Sequence, residues 1–316
     1  MPNAAIELEA LTKRYGSVLA LDDVELRVEP GELFGFLGPN GAGKTTAIRI
    51  LVDLIRPTAG HARVLGLDAQ RDARAVRARV GYLPGDLRLY EHLTGHELLE
   101  LIASLRGGTV DARYRDDLIA RLQLDPSRAI GELSRGNRQK VGIVQALMSR
   151  PALVLLDEPT SGLDPLMQEE VEALLRETVR DGGTVFFSSH VLSEVEQICT
   201  RVAMLNRGAI LDVFDLAEQR RLAPRTVAVT FAEPPPADAF AGLAGVTVLA
   251  HDGRRVEFAA RDGIDALVKR LAAFTVTTLD THEPSLEELF LARYQQDATT
   301  AAPGGAPPEG AHAASA

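Results

Sequence analysis

Eight consecutive residues, Gly38-Pro39-Asn40-Gly41-Ala42-Gly43-Lys44-Thr45, fit the pattern G-x-x-x-x-G-K-[ST] in full. Glycines at these spacings let successive backbone N–H groups close around phosphate oxygens without Cβ clashes. Lys44 is placed to reach β- and γ-phosphates, and the Thr45 hydroxyl to ligate Mg²⁺; Thr46 falls on the α-phosphate side. A second run, Leu153-Val154-Leu155-Leu156-Asp157-Glu158, is apolar and ends in two carboxylates. Asp157 can hold the shell of the same metal ion, and Glu158 can orient or deprotonate an attacking water. Read alone, the acidic pair is equally a helix start. Coupled to a phosphate-binding loop, it points to transfer of a phosphoryl group to water.

These residues need elements to place them. The run Leu33-Phe34-Gly35-Phe36-Leu37 suits a strand covered on both faces, and it feeds the glycine-rich turn. A helix follows with apolar residues at Ile48, Leu51, Val52 and Ile55, stopped by Pro57. Buried runs recur at 152–156, 184–187 and 202–205. Strands alternating with helices argue for an α/β domain with a largely parallel core sheet. Ahead of it, Ile6, Leu8 and Ala10, then Val24, Leu26 and Val28, alternate with polar residues as half-buried antiparallel strands do. Residues 86–123 read as helical throughout, most clearly over 96–105 and 111–122. Past residue 220 the alternation of Val227, Val229 and Phe231, a Pro234-Pro235-Pro236 break and an Asp252-Gly253 hairpin signal describe a small α+β domain. It closes with a helix over 264–273 and a strand near Val276. From about residue 295 the chain is Ala, Pro, Gly and Ser, a composition expected to be disordered.

Composition bounds the function. The 316 residues are 46% hydrophobic and 25% charged, the profile of a soluble globular chain. A formal charge of -10 gives no attraction to nucleic acid, which is not expected as a partner. The single cysteine, Cys199, excludes an intrachain disulfide and sits in an apolar helical pattern as core packing. The N-terminus lacks the basic region of a signal peptide, and no apolar run approaches the ~20 residues that span a bilayer.

Further motifs make a resemblance specific. Pro159-Thr160-Ser161-Gly162-Leu163-Asp164 looks like the D-loop of ABC-type ATPases. Leu133-Ser134-Arg135-Gly136-Asn137-Arg138-Gln139-Lys140 resembles their signature, commonly LSGGQ, and Ser134 lies 23 residues before Asp157. Phe187-Ser188-Ser189-His190 matches the switch-histidine segment, and Lys13-Arg14-Tyr15-Gly16 the segment whose aromatic stacks on adenine. Taken singly, Tyr15 is a strand-end aromatic and His190 one of seven histidines; the common order of the motifs is what carries the likeness. It covers residues 15–190.

The resemblance implies a P-loop ABC cassette over residues 1–220, with an N-terminal antiparallel β subdomain and a helical subdomain inserted at about 86–150. A small α+β accessory domain over 221–294 and a disordered tail over 295–316 complete the chain. It implies ATP and Mg²⁺ as ligands and Lys44, Glu158 and His190 as catalytic residues. Tyr15, Gly38, Asn40, Gly41, Gly43, Lys44, Thr45 and Thr46 would bind nucleotide, with Thr45 and Asp157 on the metal. Ser134, Gly136 and Asn137, at the start of the following helix, would complete the site of a second copy, giving an ATP-bridged homodimer, and Asp164 is a further nucleotide-binding residue. Asp164 also reads as a helix N-cap, followed by Pro165.

Two segments depart from the family. Arg135 and Asn137 replace the commoner Gly and Gln of the signature, with Arg135 expected near the partner's phosphates or ribose. The glutamine usual after the strand at 80–83 is absent: the chain reads Pro84-Gly85-Asp86, Gly85 holds the aligned place, and Asp86 is a candidate third metal ligand. The segments Gly81-Tyr82-Leu83-Pro84 and Glu283-Pro284-Ser285-Leu286-Glu287-Glu288-Leu289-Phe290 are similar to those of bacterial drug- and antibiotic-export ATPase subunits of the daunorubicin-resistance type. Glu287-Glu288 itself reads as a solvated helix face. The implied role is to power export through separate transmembrane permease subunits, from the cytoplasmic face of the membrane. The alternatives are the ATPase of an importer, a soluble non-transport ABC ATPase and a drug-sequestering immunity protein.

Overall fold

The computed structural model describes residues 3–107, 110–222, 225–261 and 263–282. The Glu287-Glu288 pair and the 295–316 tail lie outside the described residues. The chain divides into two compact units, Met1–Gln219 and Arg220–Ala316.

The first unit opens with β1 (Ile6–Tyr15), β2 (Val18–Val28), β3 (Leu33–Leu37), α1 (Lys44–Leu51), β4 (Ala59–Val64), β5 (Leu67–Asp68), α2 (Ala73–Arg79) and β6 (Val80–Leu83). It continues with α3 (Gly95–Leu105), α4 (Ala112–Arg121), α5 (Arg135–Leu147), β7 (Leu153–Asp157), α6 (Pro165–Arg180), β8 (Thr184–Ser189), α7 (Leu192–Ile198), β9 (Arg201–Asn206) and β10 (Ala209–Asp215), and α8 (Leu216–Leu222) runs across the boundary between the units. A six-stranded sheet runs β10-β9-β3-β8-β7-β6, parallel except for the β10 edge. Every residue of β3, β7 and β8 is buried, as strands covered on both faces require. Phe34 and Phe186 stack at 5.8 Å across two of them, and each such ring contributes about 1.5–3 kcal/mol by leaving water. Register then decides function: Leu37 pairs with Ser189 and Asp157 with Ser188, so three strands end at one edge. The carboxyl ends of parallel strands are where ligands bind in sheets of this kind.

An antiparallel sheet, β2-β1-β4-β5, precedes it. Ile6 and Leu8 face its core, but Ala10 does not continue the alternation. It is exposed at φ 49°, in a bulge between Leu8 and Leu11 that hands the buried position to Leu11. One extra residue flips the face of everything after it.

The stretch expected to be helical from residue 86 starts later. Residues 86–94 are bends, turns and irregular chain, and α3 begins only at Gly95, where Thr94 and Glu97 form a reciprocal capping box. The helix after the glycine-rich turn also ends early, at Leu51, because Asp53 takes a left-handed φ of 54°. The helical segment is tied to the rest of the unit by Arg121 of α4, which meets Glu170 at 2.6 Å and Glu177 at 2.5 Å on α6.

The second unit contains β11 (Arg225–Phe231), β12 (Val246–Asp252), β13 (Arg255–Ala260), α9 (Ile264–Leu271) and β14 (Val276–His282), in one antiparallel sheet ordered β12-β13-β11-β14. Val229, Phe231, Phe258 and Leu267 form its own core. Among the described residues no helix is long and apolar enough to cross a membrane.

Candidate nucleotide-hydrolysis site

The loop from Gly38 to Gly43 joins the end of β3 to the start of α1. Gly43 stands at the N-cap with φ 113°, and a Cβ there would meet the Ala20 carbonyl oxygen at 2.5 Å. Only glycine fits. No acidic residue occupies the first turn of α1, so its free N–H groups and positive end face the loop unopposed, the setting of an anion site. Asn40 and Gly41 are exposed on the loop, Gly38 is buried, and Thr46 is half-buried on α1.

Lys44 is 5% exposed. Its Nζ donates to the Gly38 carbonyl at 2.6 Å and the Pro39 carbonyl at 3.3 Å, and lies 3.7 Å from Glu158 Oε1. Burial holds its pKa below the usual lysine range, while Glu158 and Asp157 pull it upward. The Thr45 hydroxyl donates to Asp157 Oδ2 at 2.7 Å. The other Asp157 oxygen accepts from Ser188 Oγ at 2.7 Å, which fixes the carboxylate's rotation. An oxygen-only pair of hydroxyl and carboxylate suits a hard divalent ion such as Mg²⁺, which keeps most of its shell as water and phosphate.

Gly85 lies against this pair. A Cβ at Gly85 would sit 3.0 Å from Asp157 Oδ2, so any side chain there must move Asp157 or turn away. Asp86, expected as a third ligand, makes its side-chain contact elsewhere. It is the next residue along, exposed, and its Oδ2 is held by Arg88 at 3.2 Å.

Glu158 has a backbone φ of 52°, uncommon for a residue with a Cβ. Its N–H donates to the Ser188 carbonyl at 3.1 Å, and Gln139 Nε2 donates to the carbonyls of Glu158 and Pro159 at 3.2 and 3.0 Å. These bonds hold the unusual geometry. It directs the carboxylate to His190, whose Nδ1 lies 3.0 Å from Oε1. A carboxylate only accepts, so the Nδ1–H of the imidazole donates. Ser188 and Gln139 were legible as parts of motifs but not as supports, because neither role appears until strand register and helix packing are known.

The signature residues form a second cluster. Ser134 caps α5, its Oγ accepting from Asn137 N–H at 3.2 Å. Gly136 packs on the Gly162 carbonyl, and Arg135 donates to Ser161 Oγ at 3.1 Å. Arg135 is therefore engaged by the D-loop of its own chain. Asp164 caps α6 through Met167 N–H at 3.1 Å, with Pro165 next. Tyr15 is 46% exposed at the end of β1, with Lys13 Nζ 4.9 Å from its ring centre.

The ABC transporter family matches residues 21–161. The bacitracin transport ATP-binding protein BcrA of Enterococcus faecalis is 36% identical over 215 residues, covering 67% of this chain and 70% of that one. The daunorubicin resistance ATP-binding protein DrrA3 of Streptomyces coeruleorubidus is 40% identical over 215 residues, covering 67% and 68%. The ATP-binding cassette MJ0796, solved as a dimer bound to ADP and Pi after hydrolysis, superposes with a TM-score of 0.62 at 26% identity, covering 67% of this chain and 98% of that one. A glycine-rich loop at the carboxyl ends of the parallel strands, Glu158 and His190 in contact beside it, and relatives along two thirds of its length lead to one conclusion: the chain belongs to the ABC transporter family and is a nucleotide-binding, ATP-hydrolysing cassette.

Proposed function

We propose that the chain powers export of a drug, antibiotic or lipid-like compound through separate membrane-spanning subunits docked at the inner face of the membrane. The 3.0 Å contact between His190 and Glu158, beside Lys44, carries the hydrolytic part of this reading. The export systems named for its relatives support the rest.

In the site, backbone N–H groups from Gly38 to Gly43 cradle the phosphates of ATP and Lys44 binds the β- and γ-oxygens. Thr46 serves the α-phosphate, and Tyr15 stacks on adenine. Thr45 and Asp157 would hold Mg²⁺, which supplies charge neutralisation across the β- and γ-phosphates. Glu158 orients the attacking water and accepts its proton. His190 keeps Glu158 aligned and touches the γ-phosphate. Ser134, Gly136 and Asn137 complete the nucleotide site of a second copy, so two chains close on two ATP molecules. The second unit serves as an accessory domain that stabilises or regulates this dimer.

Glu158→Gln keeps the shape and removes the base. Turnover should fall by about 10²–10⁴-fold with ATP still bound. In saturating ATP and Mg²⁺ this variant should sediment as a dimer. A monomer that binds ATP normally would refute the shared-site arrangement.

A further inference from the structure

A further carboxylate lies at this corner. Glu194, in the first turn of α7, accepts from Thr160 Oγ1 at 2.8 Å on one oxygen and from Ser189 Oγ at 2.5 Å on the other. Thr160 and Ser189 are both almost fully buried. They belong to separate segments: Thr160 stands two residues after Glu158, and Ser189 immediately before His190. The Ser189 hydroxyl also accepts from the Val191 N–H at 2.9 Å, so it spans His190 from both sides. The Ser189 carbonyl accepts from the Gly38 N–H at 3.3 Å, joining the same segment to the phosphate loop.

We propose that Glu194 is a positioning residue for ATP hydrolysis. Its carboxylate ties the segment bearing His190 to the segment bearing Glu158 and so holds the 3.0 Å contact between them. The inference rests on the reading in which Glu158 and His190 act on the attacking water. The side-chain chemistry suits the task. An ionised carboxylate accepts on both oxygens, so one residue satisfies two hydroxyl donors at once. A glutamine keeps the shape but turns one acceptor into a donor, preserving one bond in its present sense. Alanine removes both, leaving the two segments joined through the bonds of Ser188 to Asp157 and Glu158 at the strand ends.

The test measures ATP turnover and ATP binding by the purified full-length chain and its Glu194→Ala, Glu194→Gln and His190→Ala variants. Misplacement of a reacting group by about 1 Å can cost 10²-fold, so Glu194→Ala is expected to lower kcat by about 10–100-fold. KM for ATP and the stoichiometry of bound ATP should stay near the parent values, because the phosphate loop is untouched. Glu194→Gln should fall between. Residues acting as a unit are non-additive, so in a His190→Ala background Glu194→Ala should cost less than about two-fold more. A general loss of structure would instead lower binding stoichiometry and cost the same factor in both backgrounds. If Glu194→Ala does not fold, Glu194→Gln alone and with His190→Ala carries the same comparison. Full kcat in the Glu194 variants while His190→Ala lowers it overturns the proposal. Full activity of His190→Ala overturns the underlying reading instead.

Discussion

At Lys44 an ammonium group is buried among backbone carbonyls, and desolvation draws its pKa below the lysine range. The unfolded chain therefore holds this proton more tightly than the folded one. Stability contributed at this position rises with pH between the folded value and the unfolded value of 10.5, and at neutral pH the charge is a standing cost. Lys44→Met should melt above the parent at neutral pH, and the difference should shrink as pH climbs toward 10.5. Thermal melts across that range decide it: a gap that does not change with pH counts against the account. The same variant should lose ATP binding. Asp86 makes a contrasting case. Its carboxylate is exposed and engaged by Arg88, so Asp86→Ala should leave turnover within about two-fold, as surface changes generally do. A larger loss in a steady-state assay would return it to the metal site.

Helices and strands set how firmly those residues are held. Ser134 satisfies a free N–H of α5, and Ser134→Ala should cost about 1 kcal/mol of stability in denaturant titrations even without nucleotide. Arg121 spans α4 and α6 with two carboxylates, and Arg121→Ala should cost on the order of 1–2 kcal/mol, the scale of partly buried charge-assisted bonds. An unchanged midpoint for either variant would remove its assigned role. The same elements mark what the sequence made legible. The continuous apolar runs identify β3, β7 and β8, and the Asp164-Pro165 start identifies α6, because burial and capping leave local patterns. The pairing of Asp157 with Ser188 leaves none, since register between strands that far apart is settled by packing. Glu194 escaped notice for the same reason, its two partners lying in different segments. The Ala10 bulge and the non-helical 86–94 stretch defeated periodicity because each breaks the repeat it would have followed.

Across the whole molecule the division into Met1–Gln219 and Arg220–Ala316, each with its own buried cluster, argues for separable folding. The phosphate loop, Asp157, Glu158 and His190 all belong to the first. A chain ending at Leu222 should therefore fold and bind ATP within a few-fold of the full chain. Calorimetric titration checks this; loss of binding would mean that the second unit is needed to build the site. The family and its α/β cassette were legible from motif order alone, since chemistry of this kind fixes residue types at fixed spacings. What the second unit does was not, because its strands carry a fold without a chemical signature.

Glu158 keeps a left-handed backbone that glycine or asparagine would adopt at less cost, by roughly 1–2 kcal/mol per residue for the conformation itself. A library of position 158 sorted only for thermal tolerance would accordingly enrich those two residues, and every enriched clone would lack the carboxylate that meets His190. Sorting the same library for ATP turnover should return glutamate. The two selections pull one codon in opposite directions, so heat-hardened versions of this cassette are best sought at positions away from the end of β7.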